Sequence, residues 1–288
     1  MSGPPGCAAP GEAGGCRGAS SQGRGDGGRP RPRLPGRRLC RPVPPVPPRP
    51  AGITPERAAG LSHARVSVPF VAIRSVVFDV GETLVNEDRI FERWADRLGV
   101  PRLAFFGLMG AVLAEGRQLT EAFRLVKPGF DLGSECAAWK AEEPESLREN
   151  FDADDLYPDV RPALGALRGM GLGVVIAGNQ PSSAAAALAA MDLPADQIHV
   201  SDDWGVAKPD PAFFARVGEV AGCPPAEILY VGDRLDNDVL PAKAAGMRAA
   251  LLRRGMLGYL HAGRAEAARA DVVLDGLDQL PGWIAEHG

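Results

Sequence analysis

Paired cysteine is the first thing the sequence lacks. Its five cysteines, Cys7, Cys16, Cys40, Cys136 and Cys223, are odd in number, widely spaced and include no C-x-x-C. That excludes a disulfide framework and a thiolate zinc site, and it points to reduced thiols in a cytoplasm. Histidine is equally sparse. His63, His199, His261 and His287 show no metal-ligand spacing. A long apolar run is also missing. The longest, Ala104 to Ala114, falls short of the ~20 residues that a membrane span needs, so no membrane partner is expected. The N-terminus has no apolar h-region, which excludes a secretory signal of the usual kind. No internal repeat is evident.

Positive charge is missing from most of the chain. Residues 1–65 hold eleven Arg and only three acids, Glu12, Asp26 and Glu56, a net +8. The whole chain of 288 residues is −4, so the remainder carries −12. A globular part that acidic is a poor grip for nucleic-acid phosphates, and no nucleic-acid partner is expected. The same basic stretch has thirteen Pro and thirteen Gly. Such a composition buries too little apolar surface to offset its ordering entropy, and the expectation is a disordered tail over residues 1–67. Its runs RPRLPGRR and PVPPVPPRP have the make-up of basic or polyproline ligands; the plainer reading is a solvated tail without a partner.

Beyond the tail, strand and helix patterns alternate, in a chain whose apolar fraction of 45% suits a buried core. VAIRSVVFDV (71–80) is a β-branched run ended by Gly81, which reads as a buried strand. Residues 88–155 read as helices broken by Gly and Pro, with IFERWADRLGV, PRLAFFGLMGAVLAEG, LTEAFRLV and SECAAWKAEE as their segments. The helix DVRPALGALRGM then leads into the strand LGVVIA (172–177), and an Ala-rich helix starts at Pro181, where Pro suits a first turn. QIHV, EILYVGD, RAALLR and DVVLD read as strands, with PAFFARVGEVAG, DNDVLPAKAAG and the C-terminal segment as helices. This alternation predicts an α/β fold, a parallel sheet with helices on both faces. The expected division is a core of residues 68–87 and 156–288 around an inserted helical cap, 88–155. Trp94, Phe105, Phe106 and Trp139 fall in that cap and read as its core, although they have the chemistry of a substrate platform.

Ligands of open parallel sheets sit beyond the carboxyl ends of the strands, so the polar residues there matter most. Four such ends stand out. Asp79 follows VVF. Gly178-Asn179-Gln180-Pro181 joins a strand to a helix, where an N-terminus favours an anion. Lys208 lies in WGVAKPDPAFF, and Lys before Pro sits outside regular helix. Asp233, Asp236 and Asp238 crowd GDRLDND, and carboxylates so close repel one another unless a cation lies among them. Each has a plainer reading alone: a turn cap, an ordinary turn, a solvated lysine, a solvated acidic loop. Together they put carboxylates, an anion-binding turn and a lysine on one rim, as phosphoryl transfer requires. A carboxylate attacks phosphorus, a magnesium ion neutralises charge, and Lys208 stabilises nucleophile and phosphate as a point charge.

With these motifs in this order, residues 71–288 resemble the haloacid dehalogenase superfamily. Asp79 and Thr83 match its first motif, Gly178 and Asn179 its second, Lys208 its third, and Asp233 and Asp238 its fourth. The resemblance implies a Rossmann-like core with a helical cap inserted after the first strand. It implies Asp79 as nucleophile and phosphate contacts at Gly178, Asn179 and Lys208. It further implies magnesium bound by Asp79, the Gly81 carbonyl and Asp233, with Asp238 in support.

Two positions depart from that pattern. Phosphatases of the superfamily usually carry a second Asp two residues after the nucleophile, as general acid and base; here the position is Gly81. The second motif usually offers a Ser or Thr hydroxyl; here it is Gly178. Glu82, Asp202 and Asp203 are the candidates to replace the missing carboxyl. Three readings follow: a magnesium-dependent phosphohydrolase of a small phosphorylated metabolite, a catalytically impaired binding or regulatory protein, and a 2-haloacid dehalogenase. Dehalogenases of the superfamily also lack the second Asp, but they need no metal. Arg253 and Arg254, after a strand, are either phosphate contacts or a solvated strand end, and His199 is expected at the sheet margin.

Overall fold

The computed structural model describes residues 72–288, so the expected tail, and with it the first residues assigned to the core, lies outside the described residues. The first strand, β1 (Ser75–Phe78), is shorter than its apolar run. Helices α1 (Asp88–Arg97), α2 (Arg102–Ala114), α3 (Thr120–Val126) and α4 (Leu132–Glu142) follow without an intervening strand. The chain then forms α5 (Val160–Gly169), β2 (Gly173–Gly178), α6 (Ser182–Ala190) and β3 (Gln197–Val200). A short α7 (Ser201–Trp204), α8 (Pro211–Ala221) and β4 (Ile228–Gly232) come next. After β4 come α9 (Leu240–Ala244), β5 (Arg248–Leu252), α10 (Gly255–Ala262), β6 (Val272–Leu274) and α11 (Leu280–His287).

All six strands are parallel, in the order β3-β2-β1-β4-β5-β6. Side chains of a strand alternate between faces, and the core divides accordingly. Val76, Phe78, Val174, Ile176, Leu229 and Val231 face one apolar layer with Leu164 and Leu167 of α5 and Leu188 of α6. Val77, Val175, Ala177, Ile228 and Tyr230 face the other, with Phe213, Phe214 and Val217 of α8 and Ala242 of α9. Helices therefore cover both faces, as the alternation predicted. The order in which strands are added reverses at β1, whose neighbours are β2 and β4, so a crevice opens beyond the ends of β1 and β4.

Two segments differ from expectation. DNDVLPAKAAG does not begin as α-helix. Leu235–Val239 make one π turn, in which the amide of Val239 reaches back to the Arg234 carbonyl at 3.1 Å, and regular helix starts only at α9. The widened turn points Asp238 back beneath the strand end, and such turns concentrate at functional sites. The helix α10 went unread because MLGYLHA shows no helical spacing of apolar residues; it packs against α2. Among the described residues no single helix is long and apolar enough to cross a membrane.

Helices α1 to α4 hold a second apolar centre of aromatic rings. Trp94 meets Phe123, Phe130 and Trp139 edge to face at 5.4, 5.6 and 4.8 Å, and Phe105 meets Phe123 at 5.0 Å. Trp94, Phe105 and Trp139 are buried and Phe106 half-buried, so these rings pack as core between the helices, continuous with the layer on one face of the sheet. Replacing Trp94 by Ala removes one ring from three such contacts and should cost about 3–5 kcal/mol, read as a shifted urea midpoint.

Candidate active site

Asp79 leaves β1 with its amide bound to the Val231 carbonyl of β4 at 2.9 Å, which fixes it at the crevice. Its Oδ1 lies 2.6 Å from Nζ of Lys208, and the same Nζ lies 2.6 Å from Oδ1 of Asp238. The Lys208 side chain is fully buried. Burial works against its charge, yet Asp238 and Asp79 outweigh that and raise its pKa well above the ordinary lysine range. Its ammonium rests over Tyr230 at 5.4 Å and Phe213 at 6.0 Å.

The loop carrying Lys208 is clamped from the end of β2. Asn179 Nδ2 donates to the Lys208 carbonyl at 2.9 Å, and the Lys208 amide donates to Asn179 Oδ1 at 2.7 Å. The Asn179 side chain thus positions the lysine, and its second Nδ2 hydrogen and the backbone of the turn are left for an anion. Gly178 permits a close approach: a Cβ there would sit 2.6 Å from Asp79 Oδ1. A Ser or Thr hydroxyl would need Asp79 to move, which accounts for glycine in the second motif.

Asp233 follows β4, buried beside Asp79 and Asp238. Ligand oxygens of the three carboxylates lie within 4.8 Å of one another. Burial, then the charges of Asp238 and Asp79, drive the Asp233 pKa well above the carboxylate range. Burial also pushes Asp238 up, to about 6, against the pull of Lys208. Three carboxylates balanced by one ammonium fit a hard divalent cation. Asp238 has both oxygens engaged, Oδ1 with Lys208 and Oδ2 with the Arg234 amide at 2.9 Å, so the oxygens left to a cation are those of Asp79 and Asp233. Asp236 does not join the cluster; it pairs with Arg234 at 2.8 Å.

The sequence candidates for the missing carboxyl are engaged with other partners. Glu82 lines the cleft, but its Oε2 accepts from the Tyr157 hydroxyl at 2.5 Å and its Oε1 from the Glu87 amide at 3.2 Å. Its φ of 50° is left-handed, unusual for a side-chain-bearing residue. Asp202 and Asp203 are exposed and hold Ser182 at 3.3 and 2.5 Å. Arg254 is neither phosphate ligand nor solvated. It is buried, donates to the Thr83 carbonyl at 3.0 Å, pairs with Asp159 and covers the Tyr157 ring at 4.2 Å. Arg253 pairs with Asp275 at the surface. His199 stacks on Trp204 at 5.1 Å on the edge strand β3.

A carboxyl that sequence reasoning passed over stands in the cleft instead. The cleft, about 290 Å³, is lined by Asp79, Gly81, Glu87, Asn179, Lys208 and Asp233, and on the cap side by Leu113, Arg117 and Gln118. A Cβ on Gly81 would meet Glu87 Oε1 at 2.5 Å. Burial, followed by the charges of Glu82 and Asp79, raises the Glu87 pKa to about 8. The signal available in the sequence was the acidic residue immediately ahead of the first cap helix.

Known proteins resemble this chain. The chain is 33% identical over 237 residues to phosphoglycolate phosphatase 1 of Pseudomonas aeruginosa, covering 74% of this chain and 82% of that protein. It is 38% identical over 102 residues to glyceraldehyde 3-phosphate phosphatase of Methanopyrus kandleri, a match spanning 34% of this chain and 44% of that protein. Among solved structures, L-2-haloacid dehalogenase from Xanthobacter autotrophicus superposes with a TM-score of 0.54 at 22% identity, over 75% of this chain and all of that one, a likeness of fold. Residues 73–246 match the haloacid dehalogenase-like hydrolase family, and the chain is a hydrolase of that family.

Proposed function

We propose that this hydrolase is a magnesium-dependent phosphatase that cleaves small phosphorylated metabolites through a phosphorylated Asp79. The observation that carries the reading is the Asp79 carboxylate, held at 2.6 Å by a buried ammonium at the mouth of a cleft, beside the free carboxylate of Asp233. Lys208 sets its positive charge against Asp79, and a carboxylate is the nucleophile. An Asp79 oxygen attacks phosphorus as the bond to the leaving group breaks; water then hydrolyses the acyl phosphate, freeing Asp79 and inorganic phosphate. The turn at Gly178 and Asn179, ahead of α6, favours the phosphoryl anion, and Lys208 adds its charge. Asp79, Asp233 and the Gly81 carbonyl would hold magnesium, with Asp238 supporting through Lys208. Magnesium, when bound, neutralises carboxylate and phosphate charge.

The relatives named as phosphatases of phosphoglycolate and glyceraldehyde 3-phosphate support a small phosphorylated substrate. Helices α1 to α4, in residues 88–155, are the proposed cap that chooses it, through side chains such as Arg117 and Gln118. The free thiols of Cys136 and Cys223 agree with a cytoplasmic setting.

Phosphate release gives the direct test. The protein should hydrolyse p-nitrophenyl phosphate and acetyl phosphate with magnesium, stop on chelation, and fall to the uncatalysed background in Asp79→Ala. Metal binding without turnover of any phosphate would leave a binding protein, and metal-free halide release from 2-haloacids would make it a dehalogenase.

The crowded carboxylates also set a pH dependence for the metal-free protein. Glu87, raised from the ordinary 4.5 to about 8, binds its proton more tightly folded than unfolded. Its contribution to stability is complete below 4.5 and is lost as pH rises through about 8. Asp238, raised to about 6, acts in the same direction. Without metal, Tm should therefore fall between about pH 5 and 8, less steeply in Glu87→Gln, and added magnesium should flatten the fall.

A further inference from the structure

We infer that Glu87 is the general acid and base of this site, taking the place of the carboxyl that residue 81 lacks. The inference rests on the phosphohydrolase reading above. Its first support is spatial. A side chain on Gly81 would begin 2.5 Å from Glu87 Oε1 and 3.0 Å from its carboxyl carbon. The space where a residue-81 carboxyl would stand therefore already holds one, supplied from six residues further along the chain. Glycine at 81 is what admits it.

The second support is availability. Among the described residues, the Glu87 carboxyl has no hydrogen-bond or ion-pair partner, whereas every other acid near the crevice but Asp233 has one. Glu82 is held by Tyr157, Asp236 by Arg234, and Asp238 by Lys208 and the Arg234 amide. Asp233 is the neighbour of Asp79 in the carboxylate cluster. Glu87 alone combines a place in the cleft beside Gly81 with an uncommitted carboxyl.

The third support is that its backbone is fixed. The Glu87 amide donates to Glu82 Oε1 at 3.2 Å, and its carbonyl accepts from the amides of Ile90 and Phe91 at 3.0 and 3.1 Å. The carboxyl thus projects from the anchored first turn of α1. Pre-positioning of this kind is what proton transfer in a transition state requires.

The steps balance without a further reactant. As an Asp79 oxygen bonds to phosphorus and the bond from phosphorus to the ester oxygen breaks, Glu87 gives its proton to that oxygen and an alcohol leaves. Glu87, now a carboxylate, takes a proton from water while the water oxygen attacks phosphorus. Phosphate departs, Asp79 is regenerated, and Glu87 again carries its proton.

Glu87→Gln keeps the shape and removes the transferable proton, so it separates the two half-reactions. With p-nitrophenyl phosphate, whose leaving group departs unprotonated, the variant should release about one equivalent of p-nitrophenolate and stall, with phosphate on Asp79 detectable by mass spectrometry. With an alkyl phosphate it should lose ~10²–10⁴ in kcat and show no burst. Half-saturation by magnesium should stay at the wild-type value, which a metal ligand would not allow. Gly81→Asp combined with Glu87→Ala returns a carboxyl from the other position and should recover the turnover that Glu87→Ala alone loses. Wild-type rates in Glu87→Gln on both substrates overturn the assignment, as does loss on both without a burst and without rescue. Wild-type protein inert towards both substrates overturns the phosphohydrolase reading, and the assignment falls with it.

Discussion

A buried charge imbalance governs this molecule. Asp79, Asp233, Asp238 and Lys208 are each at most 7% exposed, three negative groups against one positive. Taking an ion out of water costs several kcal/mol even after relaxation, and the cost is met only by close, well-oriented partners. Lys208 meets it twice, at 2.6 Å from both Asp79 and Asp238. Much of the local structure serves that one ammonium. Asn179 grips its backbone on both sides, the π turn carries Asp238 beneath it, and the rings of Tyr230 and Phe213 lie under it. Asp233 is left without such a partner. In the absence of a cation it can only take a proton, which is why its pKa rises so far. A cation bound there would relieve a charge imbalance that the fold itself creates.

What could be read from the sequence and what could not divide along a physical line. Asp79, Lys208, Asp233 and Asp238 were legible because each follows an apolar strand or its connecting loop, and a parallel sheet sends those positions to one edge. The two-faced sheet was legible for a similar reason, since runs such as VVIA and LYV are apolar on both faces. Side-chain direction after a turn was not. Asn179 looks like an anion ligand in sequence, and its amide also matches a backbone N–H and C=O pair of Lys208, a second task that the sequence does not announce. Arg254 looks like a solvated strand end, yet Asp159 and the Tyr157 ring draw it inward. Glu82 is next to Gly81 in sequence and lines the cleft, but its carboxyl is taken by the Tyr157 hydroxyl and the Glu87 amide. Glu87 is further along the chain, and the loop from Val80 to Val85 folds back to deliver it. The turn amides of Leu84 and Val85 both reach the Val80 carbonyl, at 2.9 and 3.0 Å.

With Glu87 as the proton carrier, that return loop ties the site to α1 in a way that a carboxyl at residue 81 would not. A side chain at 81 belongs to the loop of the nucleophile and moves with it. Glu87 belongs to the root of α1, where the chain leaves the core. The root is tied on both crossings: the Asn86 amide reaches the Asp155 carbonyl at 2.8 Å, and the Tyr157 amide reaches the Leu84 carbonyl at 3.0 Å. Arg89, the second residue of α1, donates to Asp152 at 2.8 Å and Asp155 at 2.9 Å, on the segment that leads back to α5 and the sheet. The Tyr157 hydroxyl then fixes Glu82, and Glu82 fixes the Glu87 amide. With Glu87 as the proton carrier, the distance between proton and nucleophile is set by how α1 is seated rather than by the nucleophile loop. The same helix carries Trp94 into the aromatic cluster of α1 to α4 and Phe91 into the wall of the cleft. The element that would place the proton therefore also builds the cleft, so a substitution that unseats α1 reaches the carboxyl and the wall together.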